Sequence, residues 1–196
     1  CVPSNPAAAN LSQTALNDPE IVAAYEAKWG LDKPIWEQYI IYMKNILINH
    51  DLGTSIRTGR PVLDELAQYF PATLELSVFA MLIAIVLGIT FGVLSAIFQN
   101  KPLDYILRTV SVSGVSLPSF WFALLVMNLF CNVLGIFPSG NRFNPRLFDP
   151  TGGTGFYVID AISWGNWALL GDVLAHLFLP ALVLGFFTMP LITRQT

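Results

Sequence analysis

The chain has 196 residues, of which 54% are apolar and 12% charged, where an ordinary soluble domain carries about 25% charged residues. At a mean hydropathy of +0.58, a water-soluble fold would lack the polar surface to cover itself. The net charge of −3 supplies no basic field and excludes nucleic acid as a partner. Two distant cysteines, Cys1 and Cys131, form neither a disulfide framework nor a metal-ligand spacing.

The chain opens on Cys1 without the charged and then apolar leader of a secreted protein. A piece of a longer protein is the expectation; a lipid-bearing cysteine is the other reading, but the apolar segments downstream already fix the chain in a bilayer. Asp18 as N-cap and Pro19 at the first helical position start a helix that Gly30 closes, with Ile21, Val22, Tyr25 and Trp29 on one face. After Pro34, Ile35, Trp36, Tyr39, Ile40, Met43, Ile46 and Leu47 keep helical spacing opposite Glu37, Gln38, Lys44 and Asn45. This is the pattern of an amphipathic helix that lies on a membrane surface or on other helices. A short helix begins after Pro61, with Val62, Leu63, Leu66 and Phe70 apolar and Asp64, Glu65 and Gln68 polar.

From Thr73 to Phe98 the only charge is Glu75, and the run exceeds what a hydrocarbon core of ~30 Å requires. It is the first predicted span. A short connection, Gln99 to Arg108, leads to an uncharged run from Thr109 to Phe137. As one straight helix that run would be roughly 44 Å long, so a kink is expected near Pro118, with Phe120 to Phe137 sufficient for the crossing. Residues 138–172 hold six of the fourteen glycines and read as an irregular outer loop, ending with Trp164 and Trp167 at headgroup level. A third span runs from Val173 to Thr193, interrupted by Pro180 and Pro190 and followed by Arg194. The expected fold is therefore an all-α integral membrane protein: an extracytoplasmic amphipathic helical region at 1–72, then a transmembrane region at 73–196. Lys101 and Arg108 in the short connection, with Arg194, put those ends on the cytoplasmic side.

Ala80, Ala84, Gly88, Gly92 and Ala96 recur every four residues, which marks the face of Ala84, Gly88 and Gly92 for close helix packing. Ser111, Ser113, Ser116 and Ser119 surround Pro118. Their hydroxyls either return hydrogen bonds to carbonyls near the proline or form a polar wall. Ser116, Pro118, Ser119, His176 and Pro180 are accordingly the candidate path or kink residues; His176, near the outer helix end, reads chiefly as a capping or interfacial group. No HExxH, GxSxG or GxxxxGK[ST] motif occurs. The two histidines, His50 and His176, have no cysteine partner, so no catalytic group, cofactor or metal is expected.

Five ordered segments carry a resemblance: DLGTSIRTGRPV (Asp51 to Val62), PATLEL (Pro71 to Leu76), LGITFGVLSA (Leu87 to Ala96), SLPSFWFALL (Ser116 to Leu125) and HLFLPALVLG (His176 to Gly185). Together they resemble the inner-membrane permease subunits of ABC importers for peptides, dipeptides, nickel and glutathione. Pro3, Asn5 and Pro6 look like the segment leaving that family's first membrane helix. His50 stands where the family usually has glycine, and Tyr69 where a basic residue is common. The resemblance implies a six-span subunit of the bacterial cytoplasmic (inner) membrane, of which this chain holds the second, third and fourth spans. Thr193, Arg194, Gln195 and Thr196 match the ending after which the family's ATPase-docking loop follows. It further implies a second permease subunit, two cytoplasmic ATPase subunits, an extracytoplasmic substrate-binding protein and membrane lipid as partners. The alternative from another class is a small membrane-embedded enzyme or assembly factor with an outer helical domain.

Overall fold

The computed structural model describes residues 19–196 except 32, 56, 147 and 149–151. Cys1, the segment around Pro3 and Pro6, and the Asp18 cap lie outside the described residues. Apart from one isolated bridge between Thr54 and Pro61, the regular structure of the described residues is helical. The chain divides at Tyr69 and Phe70 into two compact units.

In the first unit, α1 (Pro19–Trp29) ends at Gly30, whose φ of +62° is the left-handed conformation of a helix-closing glycine. A Cβ there would lie 2.5 Å from Ile41 Cδ1, the movable end of that side chain, so the left-handed φ rather than lack of space favours glycine. α2 (Ile35–Leu47) follows, with the Pro34 carbonyl accepting from the Glu37 and Gln38 amides. Gln38 Nε2 donates back to the carbonyls of Leu31 and Lys33 at 3.3 and 2.8 Å, and Trp29 meets Tyr42 with ring centroids 6.0 Å apart. The polar edge of α2 thus makes the turn to α1, while Ile35, Trp36, Tyr39, Ile40 and Leu47 stay exposed. Lys28 Nζ binds Asp51 at 2.8 Å, and this contact, aided by the Gly53 amide, holds the Asp51 carboxyl below its usual range. Neighbouring His50 sits at φ +51°, the conformation for which glycine is the default residue.

α3 (Val62–Ile97) runs into the second unit. The expected short helix after Pro61 and the first predicted span are one helix of 36 residues, about 54 Å long. Pro71 lies inside it without ending it: the proline costs one backbone bond, and the apolar run on its far side continues the helix. The connection to α4 (Pro102–Ser116) is shorter than predicted, because Pro102 starts that helix in the position where a missing amide is harmless. Asn100 turns the chain at φ +63°. Asp104 is 1% exposed and accepts from Ser95 Oγ, from the Asn100 amide at 3.0 Å and from Arg108 Nε at 2.7 Å. These bonds, the Ser95 one first, lower its pKa from the usual 3.8.

Leu117, extended at ψ 142° as a residue before proline prefers, separates α4 from α5 (Ser119–Met127). α5 continues as a π-helical turn, Asn128–Val133. Two helices therefore occupy the second apolar run. The apolar stretch Ser119–Val133 is roughly 22 Å long, short of a ~30 Å core unless the end of α4 contributes. The predicted irregular loop contains α6 (Tyr157–Ser163) and the first turns of α7 (Trp167–Gln195). Asn166 extends α7 upstream of its predicted start by accepting the Leu169 amide at 3.0 Å. Trp164 and Trp167 flank this corner and are exposed.

The helices alternate in direction. Phe122 stacks on Phe186 (5.0 Å) and Phe137 on Phe178 (5.3 Å), so α5 and the residues after it run against α7. α3 and α7 run together: a Cβ on Gly88 would lie 2.7 Å from Ile192 Cβ, one on Gly92 2.6 Å from Thr196 Cβ, and one on Gly185 3.0 Å from the Ala80 carbonyl. α3 and α7 are long and apolar enough to cross a membrane, and only 22% and 33% of their most apolar windows are buried. A helix from a soluble core would be mostly covered; here Val78, Leu82 and Val86 are more than half exposed.

Gly88→Ala is expected to destabilise the fold by about 1–3 kcal/mol through overpacking. Gly171→Ala, where no atom lies within 4 Å of the added Cβ, should be neutral or stabilise by about 0.5–1 kcal/mol; thermal unfolding in detergent compares the two. Because the folded Asp104 carboxyl has the lowered pKa, its contribution is present above the ordinary carboxylate value and is lost as pH falls through the depressed one. The stability gap between wild type and Asp104→Asn should therefore close on acidification below about pH 4, read by unfolding at stepped pH.

Candidate functional site

The second unit holds a cavity of about 350 Å³ between one end of α3 and the facing stretch of α7, roofed by the chain between α5 and α6. Its central feature is Glu75, the one carboxylate of the apolar stretch of α3, 7% exposed. An unpaired buried carboxylate is too costly to keep. Glu75 Oε2 accepts from Arg142 Nη2 at 2.6 Å, and Oε1 from the Val158 amide at 2.8 Å. Arg142 Nη2 also donates to the Gly155 carbonyl at 2.9 Å, and its guanidinium lies 4.0 Å above the Tyr157 ring.

The roof is organised by a second buried carboxylate. Asp160, 3% exposed, accepts from the Thr154 amide (3.0 Å), the Thr154 hydroxyl (2.8 Å) and the Gly155 amide (3.2 Å). These bonds curl 154–160 and aim the Gly155 carbonyl at Arg142. Gly155 adopts φ +86° and passes so close to Pro71 that a Cβ would lie 3.2 Å from its Cγ. On α7, Asp172 Oδ2 accepts the Asn144 amide at 2.6 Å, and His176 Nδ1 donates to the Asp172 carbonyl at 2.8 Å. Beneath the roof, Ala161, Leu169 and Val173 form a small buried cluster against Phe143 and Tyr157.

Residues 88–196 match the Binding-protein-dependent transport system inner membrane component family, and residues 1–77 match the N-terminal domain of the same membrane components. The chain belongs to this family. It is 46% identical over 175 residues (89% of the chain) to the Probable D,D-dipeptide transport system permease protein of Escherichia coli K12. It is 41% identical over its whole length to the dipeptide transport system permease protein of Alkalihalophilus pseudofirmus, and 37% identical over 195 residues to the di/tripeptide transport system permease protein of Pseudomonas aeruginosa. The chain spans 51–57% of the length of these relatives. Its place is in a membrane.

Within this permease-family chain the residues singled out from sequence fall in four places. His176 and Pro180 line the Glu75 cavity. Ser119 lines a separate, apolar cavity of about 550 Å³ with Phe120, Ala123, Val183, Phe187 and Thr188, beside the break at Pro118. Ser111, Ser113 and Ser116 donate to carbonyls of their own helix, at Leu107, Val110 and Val112. Ala84, Gly88 and Gly92 are buried in α3, the two glycines against α7.

Glu75 and Arg142 were not among the residues chosen from sequence. A lone carboxylate in an apolar run does signal a hidden partner, but nothing local says that the partner lies 67 positions away. Among the described residues no group of three or more His, Cys, Asp or Glu is placed to hold a metal.

Glu75→Ala leaves Arg142 facing an apolar wall and should cost about 3 kcal/mol, as breaking a buried pair does. Asp51→Ala, which breaks the exposed Lys28 pair, should cost under about 1 kcal/mol. Unfolding of both variants in one detergent makes the comparison.

Proposed function

We propose that this chain forms part of the transmembrane permease subunit of an ATP-driven importer, conducting peptides or similar small solutes and performing no covalent chemistry. The carrying observation is the family match over 88–196 together with dipeptide-permease relatives aligned along 89–100% of the chain. In this reading the protein resides in a bacterial cytoplasmic membrane as a multi-pass subunit. A second permease subunit completes the bundle, an extracytoplasmic binding protein delivers the solute, and two cytoplasmic ATPases drive it. Closure of the ATPases shifts the bundle between two packings that open on opposite sides.

In this reading there are three crossings, α3, then the end of α4 with α5 and its π-turn, then α7, and the alternating helix directions support them. Residues 1–72 and 138–172 lie outside, and Lys101 and Arg194 face the cytoplasm, consistent with the basic residues around the α3–α4 turn. The exposed apolar face of α2 suits the lipid interface or a neighbouring helix. Pro180 and the break at Pro118, with Ser116, Ser119 and His176 beside them, are where the path would bend.

Vesicles containing the full-length protein and its partners should accumulate dipeptide with ATP and not without it. In a background free of Cys1 and Cys131, a cysteine at Lys101 should resist an impermeant outside reagent in intact cells and react after permeabilisation. Labelling in intact cells would reverse the orientation, and ATP-independent accumulation would overturn the importer reading.

A further inference from the structure

We propose that the cavity under Arg142 is a binding site for a small zwitterionic peptide, with its carboxylate on Arg142, a polar backbone group on His176, and an apolar side chain against α7. The inference rests on the peptide-permease reading and adds to it a place and an orientation.

Three observations carry it. First, Arg142 spends only one nitrogen on the protein: Nη2 makes both the Glu75 and the Gly155 bonds, and among the described residues Nε and Nη1 have no hydrogen-bond partner. A guanidinium with spare donors at a cavity wall is the ordinary carboxylate receptor. Second, the side chain of His176 is 6% exposed, and its Nδ1 is committed to the Asp172 carbonyl. Since a carbonyl only accepts, Nδ1 carries the proton and Nε2 is left, without a protein partner among the described residues, at the cavity that His176 lines. Third, the α7 side of the wall is apolar, formed by Val173, Leu177, Pro180 and Leu184, while Thr73, Ser77 and Asn141 add polar groups elsewhere on the lining.

Charge and size narrow the ligand. Glu75 and Arg142 cancel, so the site favours a net-neutral molecule over a free anion or cation. An acyl chain would strand the donors of Arg142, and a small inorganic anion would leave the apolar wall wet. The cavity volume of about 350 Å³ falls within the range of ~300–1,000 Å³ typical of small-molecule sites. A dipeptide with one apolar side chain is neutral overall, brings a carboxylate for Arg142 and an apolar group for the α7 wall, and directs its ammonium to the remaining lone pairs of Glu75, which also lines the cavity.

The test uses the full-length subunit assembled with its partners in lipid nanodiscs, without the binding protein, and radiolabelled alanyl-phenylalanine as probe. Saturable binding is expected, with the C-terminal amide of the same dipeptide at least about 10-fold weaker, the loss of a charged hydrogen bond, and the His176→Leu variant about 2- to 10-fold weaker, the loss of a neutral one. Ser77→Phe places a ring at the cavity wall and leaves the Arg142 and His176 side chains themselves unaltered. It should abolish binding, and it carries the test if His176→Leu does not assemble. Equal affinity for acid and amide, or unchanged binding in Ser77→Phe, overturns the site. Dipeptide uptake by the wild-type importer is the parallel arm. Uptake with an unchanged KM in Ser77→Phe removes the site and leaves the permease reading intact, whereas absence of dipeptide uptake in wild type removes the reading itself.

Discussion

A carboxylate in the apolar stretch of α3 imposes the main constraint on this molecule. Glu75 is tolerable only with its charge matched and its lone pairs occupied, and it is therefore bound to whatever supplies Arg142 and the Val158 amide. That supplier is the segment running from the π-turn into the start of α6, rich in glycine and packed through Phe137 on Phe178 and Phe143 on Tyr157. Asp160 shapes the segment so that Gly155 offers its carbonyl to the same guanidinium. One ion pair thus anchors the roof to α3, and the cavity exists because the roof is held there.

The opposite end of the same helix pair is governed by absence of side chains. α3 and α7 touch where Gly88, Gly92 and Gly185 allow Ile192, Thr196 and the Ala80 carbonyl to approach within what would be Cβ contact distance. Toward the Glu75 end the bulk returns, with Leu76 and Ser77 facing Leu177, Pro180 and Leu184 across an opening. A close contact at one end and a wedge at the other is the geometry in which a small change of tilt alters the size of the opening. In membranes such contacts rest on van der Waals packing rather than on expulsion of water, so volume matters more than polarity along that seam.

Much of this was legible in the sequence. The helical periodicity after Pro34, the closing role of Gly30, the interruption at Pro118 and the lengths of the α3 and α7 apolar runs all follow from local chemistry that acts within a few residues. The continuity of α3 through Pro71 was not legible, because a proline after a polar stretch reads as a boundary and only the neighbouring packing decides otherwise. The helix α6 was hidden among glycines: its seven residues carry too little periodicity to stand out. The Glu75–Arg142 pair joins positions whose proximity depends on the whole bundle, and the free nitrogen of His176 depends on which backbone carbonyl its partner nitrogen finds. The general pattern of solitary charges in apolar runs pointed to a need without naming the partner.

The roof over the cavity depends most on Glu75 and Arg142 acting as a unit. A double-mutant cycle of Glu75→Ala and Arg142→Ala, read as unfolding free energies of the full-length protein in one detergent, measures that directly. A coupling of at least about 1.5 kcal/mol, with the double variant less destabilised than the two single variants summed, is the predicted result. Additivity within about 0.3–0.5 kcal/mol would mean that the two groups are independent and that the roof over the cavity is held by something else.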